Sequence, residues 1–385
     1  MREIISKPAG IYIHIPFCQA KCGYCDFYSI TDLKPKKTFV SALINEINKT
    51  KEDIYQLAVF DTIYFGGGTP SLLSSDELIQ ILDAFHSKFK IAENSEITLE
   101  ANPGTLNTEQ LKRFRNAGIN RLSIGIQSFH DKDLRVIERI HNAREAIEIV
   151  ETARRTLFEN LSIDLIFALP GQTMQNWKDN LKKAVELNPE HISAYSLIFE
   201  KGTPFYKARE EGRIKSKSES EELKFYQTTI DYLKQNGYLH YEVSNFAKSP
   251  EYYSRHNQKY WDHSNYLGFG PSAHSYWNNQ RWSNVSSLTQ YITALSAGKS
   301  PVNFLEDIEL ETMEFENIFL SLRTITGLNL LDFKNRFRIE FTQKYKAKID
   351  PLLTNDLAEI HDQYFRLTQK GLFISDAILS EFAHI

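Results

Sequence analysis

Residues 10–27 read GIYIHIPFCQAKCGYCDF, a short apolar run followed by a loop that contains three cysteines. Cys18, Cys22 and Cys25 are the only cysteines in the 385-residue sequence. A structural zinc site takes four ligands, often as two separated pairs. This sequence has no second pair, although His14 is a candidate fourth ligand beside the loop. Three thiolates on one loop fit better with an iron–sulfur cluster of four irons, one of which stays open for an exchangeable ligand.

Short β-rich runs and helix-like segments alternate from this first strand to about residue 200. The β-rich runs are 10–15, 61–65, 96–101, 121–126, 161–169 and 191–198. The helix-like segments between them are about 36–57, 75–89, 108–116, 143–157 and 174–187. Strands that alternate with helices favour a parallel sheet. We therefore predict an α/β fold that begins with a partial (β/α)6 barrel.

Short polar or glycine-containing motifs follow the predicted strands. The cysteine loop follows the first strand, and GGGTP, NPG, QSF and PGQ follow the next four. Barrels of this type carry their chemistry in the loops at the carboxyl ends of the strands, so we expect these motifs to meet on one face. Gly67 and Gly68 lack side chains, which lets the backbone approach a ligand closely.

The sequence divides into three predicted regions. We assign residues 1–210 to the barrel, 211–304 to an aromatic-rich accessory region and 305–385 to a mostly helical C-terminal domain. Two apolar runs that flank Lys370 and Gly371 predict a hairpin after helices, as in a winged-helix-like module. Such modules often bind DNA, but this region carries no basic stripe, so we expect it to serve packing.

The composition is that of an ordinary globular protein, with 42% hydrophobic residues, 24% charged residues and a formal net charge of −4. A mildly acidic chain gives no sign of the basic surface that binds nucleic acid. The N-terminus MREIISKPAG does not resemble a signal peptide, and no stretch approaches the roughly 18 apolar residues of a membrane span. We expect a cytoplasmic protein, with a peripheral membrane contact left open. A reducing compartment favours a metal site over disulfides.

The spacing C-x3-C-x2-C, with Tyr24 directly before the third cysteine, resembles the signature of the radical S-adenosylmethionine superfamily. In that superfamily the open iron of a [4Fe–4S] cluster binds the amino and carboxylate groups of S-adenosylmethionine, and the reduced cluster cleaves it to a radical. The resemblance implies that Cys18, Cys22 and Cys25 hold the cluster.

Six segments resemble, in order, the oxygen-independent coproporphyrinogen dehydrogenases and their relatives. They are YIHIPFCQAKCGYCDF, FGGGTP, LEANPG, RLSIGIQSF, IDLIFALPGQT and HISAYSLIFEKGTP. The resemblance implies S-adenosylmethionine contacts from Tyr12, Tyr24, Gly67, Gly68, Thr69, Glu100, Gln127, Arg139 and Asp164. Arg139 can pair with a carboxylate through two hydrogen bonds, although taken alone, in the helix-like LRVIERIHN, it resembles a surface residue.

Two departures separate this sequence from the dehydrogenases themselves. Their motif continues with a further cysteine two residues after the third, where this sequence has Phe27. They also carry an N-terminal extension that takes part in the active site, whereas only 17 residues precede Cys18 here. We therefore expect this protein not to convert coproporphyrinogen III.

The segment HNQKYW resembles the H-N-x-x-Y-W motif of the HemW-type heme chaperones. Imidazole is a common axial ligand of heme iron, so His256 is the candidate ligand, while Tyr260 and Trp261 offer flat apolar faces for a porphyrin. The polar residues between them prefer water, so we expect a partly exposed patch. The alternative is a core aromatic cluster with a hydrogen-bonded histidine. His263 and His274 are weaker candidate ligands.

Two functions follow from these resemblances. The first is a carrier that binds heme and passes it to an acceptor protein, which the sequence does not name, while it holds a [4Fe–4S] cluster and exchangeable S-adenosylmethionine. The second is an enzyme that oxidatively decarboxylates coproporphyrinogen III. Phe27 and the short N-terminal segment favour the carrier.

Overall fold

The structure is a computed structural model and describes residues 7–50, 55 and 58–383. Six parallel strands form the centre of a large sheet. They are β1 (Ala9–Ile15), β2 (Val59–Gly67), β3 (Lys90–Ala101), β4 (Arg121–Gln127), β5 (Asn160–Phe167) and β6 (His191–Ser196). The helices between them are α1 (Lys36–Lys49), α2 (Ser75–Lys88), α3 (Thr108–Asn116), α4 (Asp131–Val136), α5 (Ala143–Arg155) and α6 (Met174–Glu186). The predicted α/β fold with a partial barrel is confirmed.

Each predicted strand and helix of the barrel has its counterpart, with shifts at the ends. The first helix ends at Lys49, and most of its predicted extension to residue 57 lies outside the described residues. Strands β2 and β3 begin earlier than predicted, because Val59 and Phe60 pair with Lys90 and Ile91 ahead of the predicted apolar runs. The short helix α4 was not predicted from the sequence.

The barrel is open, because β1 and β6 each pair with a later strand instead of with each other. The later elements are α7 (Pro204–Glu210), α8 (Glu219–Gln235), β7 (Leu239–Glu242), β8 (Asn245–Ala247), α9 (Arg255–Trp261), β9 (Tyr266–Phe269), β10 (His274–Trp277), β11 (Gln280–Asn284), α10 (Leu288–Ser296) and β12 (Val302–Asp307). The order of the twelve described strands is β12-β11-β10-β9-β1-β2-β3-β4-β5-β6-β8-β7. The predicted accessory region therefore extends both edges of the barrel sheet, and the boundary at residue 210 is not an edge of that sheet.

The C-terminal part of the chain has a hydrophobic core of its own, formed mainly by side chains between Ile308 and Phe382. Its helices are α11 (Leu310–Ser321), α12 (Leu330–Phe337), α13 (Phe341–Lys344), α14 (Lys346–Thr354), α15 (Gln369–Leu372) and α16 (Ser375–Ala383). Its strands β13 (Leu328–Asn329), β14 (Ala358–His361) and β15 (Tyr364–Leu367) form a sheet in the order β13-β15-β14.

The predicted hairpin exists, but its position at Lys370 and Gly371 was wrong. The turn joins β14 and β15 at Asp362, whose φ is 54°. Gly371 lies in α15, and a Cβ atom there would lie 1.9 Å from the carbonyl oxygen of Leu357. This glycine therefore serves the close packing of a helix against the hairpin. In the described part of the chain, no helix is long and apolar enough to cross a membrane.

Candidate functional site

A cavity of about 580 Å³ lies inside the open barrel and reaches the loops at the carboxyl ends of its strands. The sequence-predicted residues that line it are Cys18, Cys22, Tyr24, Cys25, Gly67, Gly68, Thr69, Glu100, Gln127, Arg139 and Asp164. They come from separate segments of the sequence and meet because parallel strands end at the same edge of a sheet. Tyr12 is not among the lining residues, since its ring lies beneath the wall.

The cysteine loop is fixed at its base. The backbone N–H of Cys18 donates to the carbonyl oxygen of Ile30 at 2.9 Å, and that of Ile30 donates to Pro16 at 2.8 Å. Within the loop, the N–H of Cys25 donates to the carbonyl oxygen of Cys22 at 3.1 Å. The loop therefore returns to its starting point and presents all three thiols to one cavity.

The surroundings of the three sulfurs fit an iron–sulfur cluster. Burial raises the pKa of Cys25, and the neighbouring thiols of Cys18 and Cys22 raise it further, which shows that the three groups influence one another. Thr69 Oγ1 lies 3.5 Å from Sγ of Cys18, and Arg139 Nη1 lies 3.8 Å from Sγ of Cys22. Such donors stabilise thiolates and cluster sulfur.

In the described residues, no three His, Cys, Asp or Glu side chains converge on a point suited to a single metal ion. A cluster does not require that convergence, because each thiolate binds a different iron. His14, the candidate fourth ligand, is buried with both ring nitrogens engaged. Its Nδ1 accepts from the hydroxyl of Tyr12 at 3.1 Å, and its Nε2 donates to the carbonyl oxygen of Tyr28 at 2.8 Å.

The glycine turn packs against the cysteine loop. Gly67 has a φ of 108°, a conformation that favours glycine, and a Cβ atom there would lie 2.7 Å from the ring of His14. At Gly68 a Cβ atom would lie 2.6 Å from the carbonyl oxygen of Phe17 and 3.1 Å from Sγ of Cys18. The missing side chains therefore make room for the loop, in addition to leaving backbone open to the cavity.

Glu100 is an acidic group in the wall of the cavity. Its carboxylate accepts a hydrogen bond from the hydroxyl of Tyr64 at 2.8 Å. Burial raises its pKa to about 7, although the hydrogen bond from Tyr64 acts in the opposite direction, and the charge of Asp164 adds to the rise. Near neutral pH this carboxyl group therefore exists in both protonation states.

Arg139 is not on the surface of a helix, as its sequence context suggests when taken alone. It lies beyond the end of α4, and its Nη2 donates to the carbonyl oxygen of Gly125 at 2.7 Å and to Oδ1 of Asn102. These contacts direct the guanidinium group into the cavity. It stands between the third and fourth strand ends and next to Cys22.

Sequence reasoning missed several lining residues. They are Tyr64, Asn102, Arg121, Ser123, Ser193, Tyr195 and Asn257. The strand residues among them were detectable, because alternate residues of a strand face the same side. Ser123 precedes Gln127 by an even number of positions, and its hydroxyl lies 3.2 Å from Oδ1 of Asp164. Arg121 is only 2% exposed, with its Nε unpaired within the described residues.

The expectation that the H-N-x-x-Y-W segment forms a partly exposed patch was wrong for its histidine. His256 is 1% exposed and hydrogen-bonds with Oγ1 of Thr62 at 2.8 Å and with the hydroxyl of Tyr260 at 2.9 Å. Lys259, which was expected to face water, pairs with Asp61 at 2.6 Å. His256 and Lys259 therefore find partners on β2, which is far away in the sequence, whereas Nε2 of Gln258 is buried without a partner in the described residues.

The other proposed heme contacts are more accessible than His256. Tyr260 and Trp261 are half-buried. His274 is exposed on β10, whereas His263 stacks on Tyr276 with ring centroids 4.7 Å apart and pairs with a glutamate of α11. The role of these residues in heme binding stays a prediction.

Comparison with known proteins places these features in a family. Residues 12–184 match the model of the radical SAM superfamily, and residues 308–374 match the HemN C-terminal domain. The chain is 35% identical to the heme chaperone HemW of Lactococcus lactis over 380 residues, or 98% of both chains. It is 36% identical to the heme chaperone HemW of Bacillus subtilis, over 96% of this chain and 98% of that one. The chain belongs to the HemW family of heme chaperones.

The match to the radical SAM model and the similarity to HemW chaperones confirm the radical SAM and HemW resemblances inferred from the sequence. The fold agrees with the solved structure of coproporphyrinogen III oxidase (HemN) from Escherichia coli, a radical SAM enzyme. The TM-score is 0.85 at 24% identity, over 98% of this chain and 91% of that one. At this identity the likeness concerns the fold alone. Phe27 is 65% exposed at the rim of the cavity.

Proposed function

We propose that this protein binds heme and transfers it to an acceptor protein, while Cys18, Cys22 and Cys25 hold a [4Fe–4S] cluster. The observation that carries this proposal is the similarity to HemW chaperones over nearly the whole of both chains. The cysteine loop supports the cluster, since its three thiols face one cavity. The acceptor is a protein that offers heme iron its own ligands.

The cavity is the proposed site of S-adenosylmethionine. When bound, the cluster supplies an iron open to an exchangeable ligand and an electron for radical chemistry. The carboxylate of Glu100 can accept hydrogen bonds from the amino or hydroxyl groups of the ligand, and the backbone of Gly67 and Gly68 borders the same space. Arg139 offers a guanidinium group to a carboxylate. Gln127 and Asp164 complete the polar wall, and Tyr12 supports it from beneath.

The dehydrogenase function is less well supported. Phe27 places an exposed aromatic ring where the dehydrogenases carry a further cysteine. A phenyl ring can neither ligate a metal nor transfer a proton or an electron pair as a thiol does. We therefore propose that this protein does not decarboxylate coproporphyrinogen III, whether or not it cleaves S-adenosylmethionine.

The proposed heme contacts remain His256, Tyr260 and Trp261. His256 can bind iron only after a change in structure. Neither ring nitrogen of His256 is available to iron while helix α9 occupies its described position, because both are hydrogen-bonded. Heme ligation by this residue requires α9 to move away from β2. Burial lowers the pKa of His256 to about 3, so the imidazole is already in the neutral form that binds iron.

One anaerobic experiment tests this function. The cluster is reconstituted, and then heme binding is followed by the Soret band while coproporphyrinogen III conversion is assayed in the same preparation. We expect one heme per monomer and no protoporphyrinogen. His256→Ala should shift the Soret band, whereas His86→Ala, which removes an exposed imidazole on α2, should not. Steady turnover of coproporphyrinogen III would establish the enzyme instead of the carrier.

A further inference from the structure

Helix α9 lies at the amino-terminal end of the barrel strands, opposite the cysteine loop. The backbone N–H groups of Arg255 and His256 donate to the carboxylate of Glu96 at 3.3 and 3.2 Å. The side chains of Arg255 and Lys259 both pair with Asp61, at 2.9 and 2.6 Å. The position of this helix is therefore fixed by Asp61 near the start of β2 and by Glu96 in the middle of β3.

The position also depends on a small residue in β1. A Cβ atom at Gly10 would lie 2.8 Å from Cδ of Lys259, 2.9 Å from Oγ1 of Thr62 and 3.1 Å from Nδ1 of His256. Glycine at this point therefore allows α9 to rest directly on the strand. Asn257, the next residue in the helix, lines the cavity from this end.

His256 belongs to a stack of three rings inside the barrel. Its ring centroid lies 5.1 Å from that of Tyr64, with 26° between the ring planes, and 6.3 Å from that of Tyr12, with 28° between the planes. The two tyrosines lie 6.3 Å apart at 24°. All three rings are therefore nearly parallel, and the position of each limits the positions of the other two.

Both tyrosines carry contacts from this stack towards the carboxyl ends of the strands. The hydroxyl of Tyr64 donates to Glu100 at 2.8 Å. The hydroxyl of Tyr12 donates to His14, whose ring packs against Gly67 and donates to the backbone of Tyr28. The stack therefore supports an acidic group in the cavity wall, the glycine turn and the segment that leaves the cysteine loop.

We infer that His256 is a positioning residue for the S-adenosylmethionine site, acting through Tyr64 on the carboxylate of Glu100. This inference rests on the proposal that the cavity binds S-adenosylmethionine. Without the imidazole, the hydroxyls of Thr62 and Tyr260 lose their partner in a buried space, and Tyr64 loses the ring against which it lies. The carboxylate of Glu100 then loses its orientation. The thiols of Cys18, Cys22 and Cys25 keep their orientation, because the hydrogen bonds that fix their loop do not involve His256.

The test compares S-adenosylmethionine affinity with cluster content in the reconstituted protein. Affinity is measured from the change that S-adenosylmethionine causes in the paramagnetic resonance signal of the reduced cluster, and cluster content from iron per monomer. We expect His256→Ala to bind S-adenosylmethionine about tenfold more weakly, the effect of losing one hydrogen bond to a charged group. The iron content of His256→Ala should match that of the wild-type protein. In the control His86→Ala, both the affinity and the iron content should match those of the wild-type protein.

A double-mutant cycle separates positioning from general damage. Tyr64→Phe removes the hydroxyl that reaches Glu100, so it should weaken binding by a similar factor. The double variant His256→Ala with Tyr64→Phe should be no weaker than either single variant. In Gly10→Ala the added methyl group presses on α9 from β1, so this variant should show the same loss of S-adenosylmethionine affinity. If His256→Ala does not retain iron, the affinity of Gly10→Ala tests the inference in its place.

Two results would overturn the inference. One is unchanged S-adenosylmethionine affinity in His256→Ala or, where that variant lacks iron, in Gly10→Ala. The other is full additivity in the cycle, which would mean that His256 does not act through Tyr64. A wild-type signal that does not respond to S-adenosylmethionine at all would instead contradict the proposed function of the cavity.

Discussion

At the scale of single residues, the three proposed cluster ligands can be tested against a control residue that lines the same cavity. Cys18, Cys22 and Cys25 face the cavity together with Ser29, whose buried hydroxyl has no hydrogen-bond partner in the described chain. Each cysteine should be essential, because three irons need three thiolates. Replacement of any one by alanine should abolish the iron content and absorption of the cluster, while Ser29→Ala should keep both. A stable cluster in one of the cysteine variants would contradict the assignment of that residue.

The raised pKa of Glu100 predicts that binding of S-adenosylmethionine depends on pH. Burial raises this pKa to about 7, and the ionised carboxylate accepts hydrogen bonds from the amino or hydroxyl groups of the ligand more strongly than the protonated group does. Binding of S-adenosylmethionine should therefore weaken as the pH falls through 7, by up to about tenfold for each pH unit below it. Affinities measured between pH 6 and 8 check this expectation. Glu100→Gln, which cannot ionise, should bind weakly with a flat profile, and a sloping profile in that variant would assign the titration to another group.

At the scale of elements, a buried glutamate joins α1 to the strands added at the edge of β1. Glu46 accepts hydrogen bonds from the backbone N–H of Gly270 at 2.9 Å, from Nδ2 of Asn284 at 2.6 Å and from the hydroxyl of Tyr291 at 2.5 Å. These donors belong to the loop after β9, to β11 and to α10. One side chain therefore connects the barrel with three parts of the predicted accessory region.

Removal of the Glu46 carboxylate should destabilise the folded protein. Glu46→Ala leaves three buried donors without an acceptor, and we expect it to lower the free energy of unfolding by about 3 kcal/mol. Urea denaturation measures the change. Glu148→Ala is the control, because the side chain of Glu148 forms an exposed ion pair with Arg144 on α5 and its loss should change stability by less than about 1 kcal/mol. A similar small change in Glu46→Ala would show that these hydrogen bonds contribute little.

The sequence predicted the strands and helices that are determined by their own hydrophobic pattern. The six barrel strands are apolar runs that are separated by helices. Most of the predicted SAM contacts lie in the carboxyl-terminal halves of these strands or in the loops after them, so their meeting in one cavity could be foreseen. The attachment of β9 to β1 could not, since a four-residue strand such as YLGF carries no sign of its partner. The burial of His256 depends on Asp61 and Glu96, which lie far away in the sequence.

At the scale of the whole molecule, the two sequence motifs lie at opposite ends of the barrel. The cysteine loop follows the carboxyl end of β1, whereas α9 rests on Gly10 near its amino end. The C-terminal region contacts the segment after α9, because Glu316 of α11 pairs with His263 and with Arg281. The helix that carries the proposed heme ligand is therefore in contact with the cavity on one side and, through the following residues, with the C-terminal core on the other.

This arrangement predicts that heme and S-adenosylmethionine each lower the affinity of the protein for the other. Heme can reach the buried His256 only after α9 moves away from β2, which breaks the bond of His256 to Thr62, and the same displacement takes the support away from Tyr64. Linkage requires each ligand to weaken the other by the same factor. We expect saturating S-adenosylmethionine to weaken heme binding about tenfold, within the usual range of coupling between sites.

Heme titrations of the reconstituted protein, with and without S-adenosylmethionine, measure this coupling through the Soret band. Cys22→Ala is the control: without a cluster it lacks the iron to which S-adenosylmethionine binds, so it should bind heme equally well in both titrations. Equal affinities in the wild-type protein would mean that heme binds while α9 stays in place. The iron ligand would then be a residue other than His256, and His274 is the first to replace, because it is exposed on β10 without any movement of the helix.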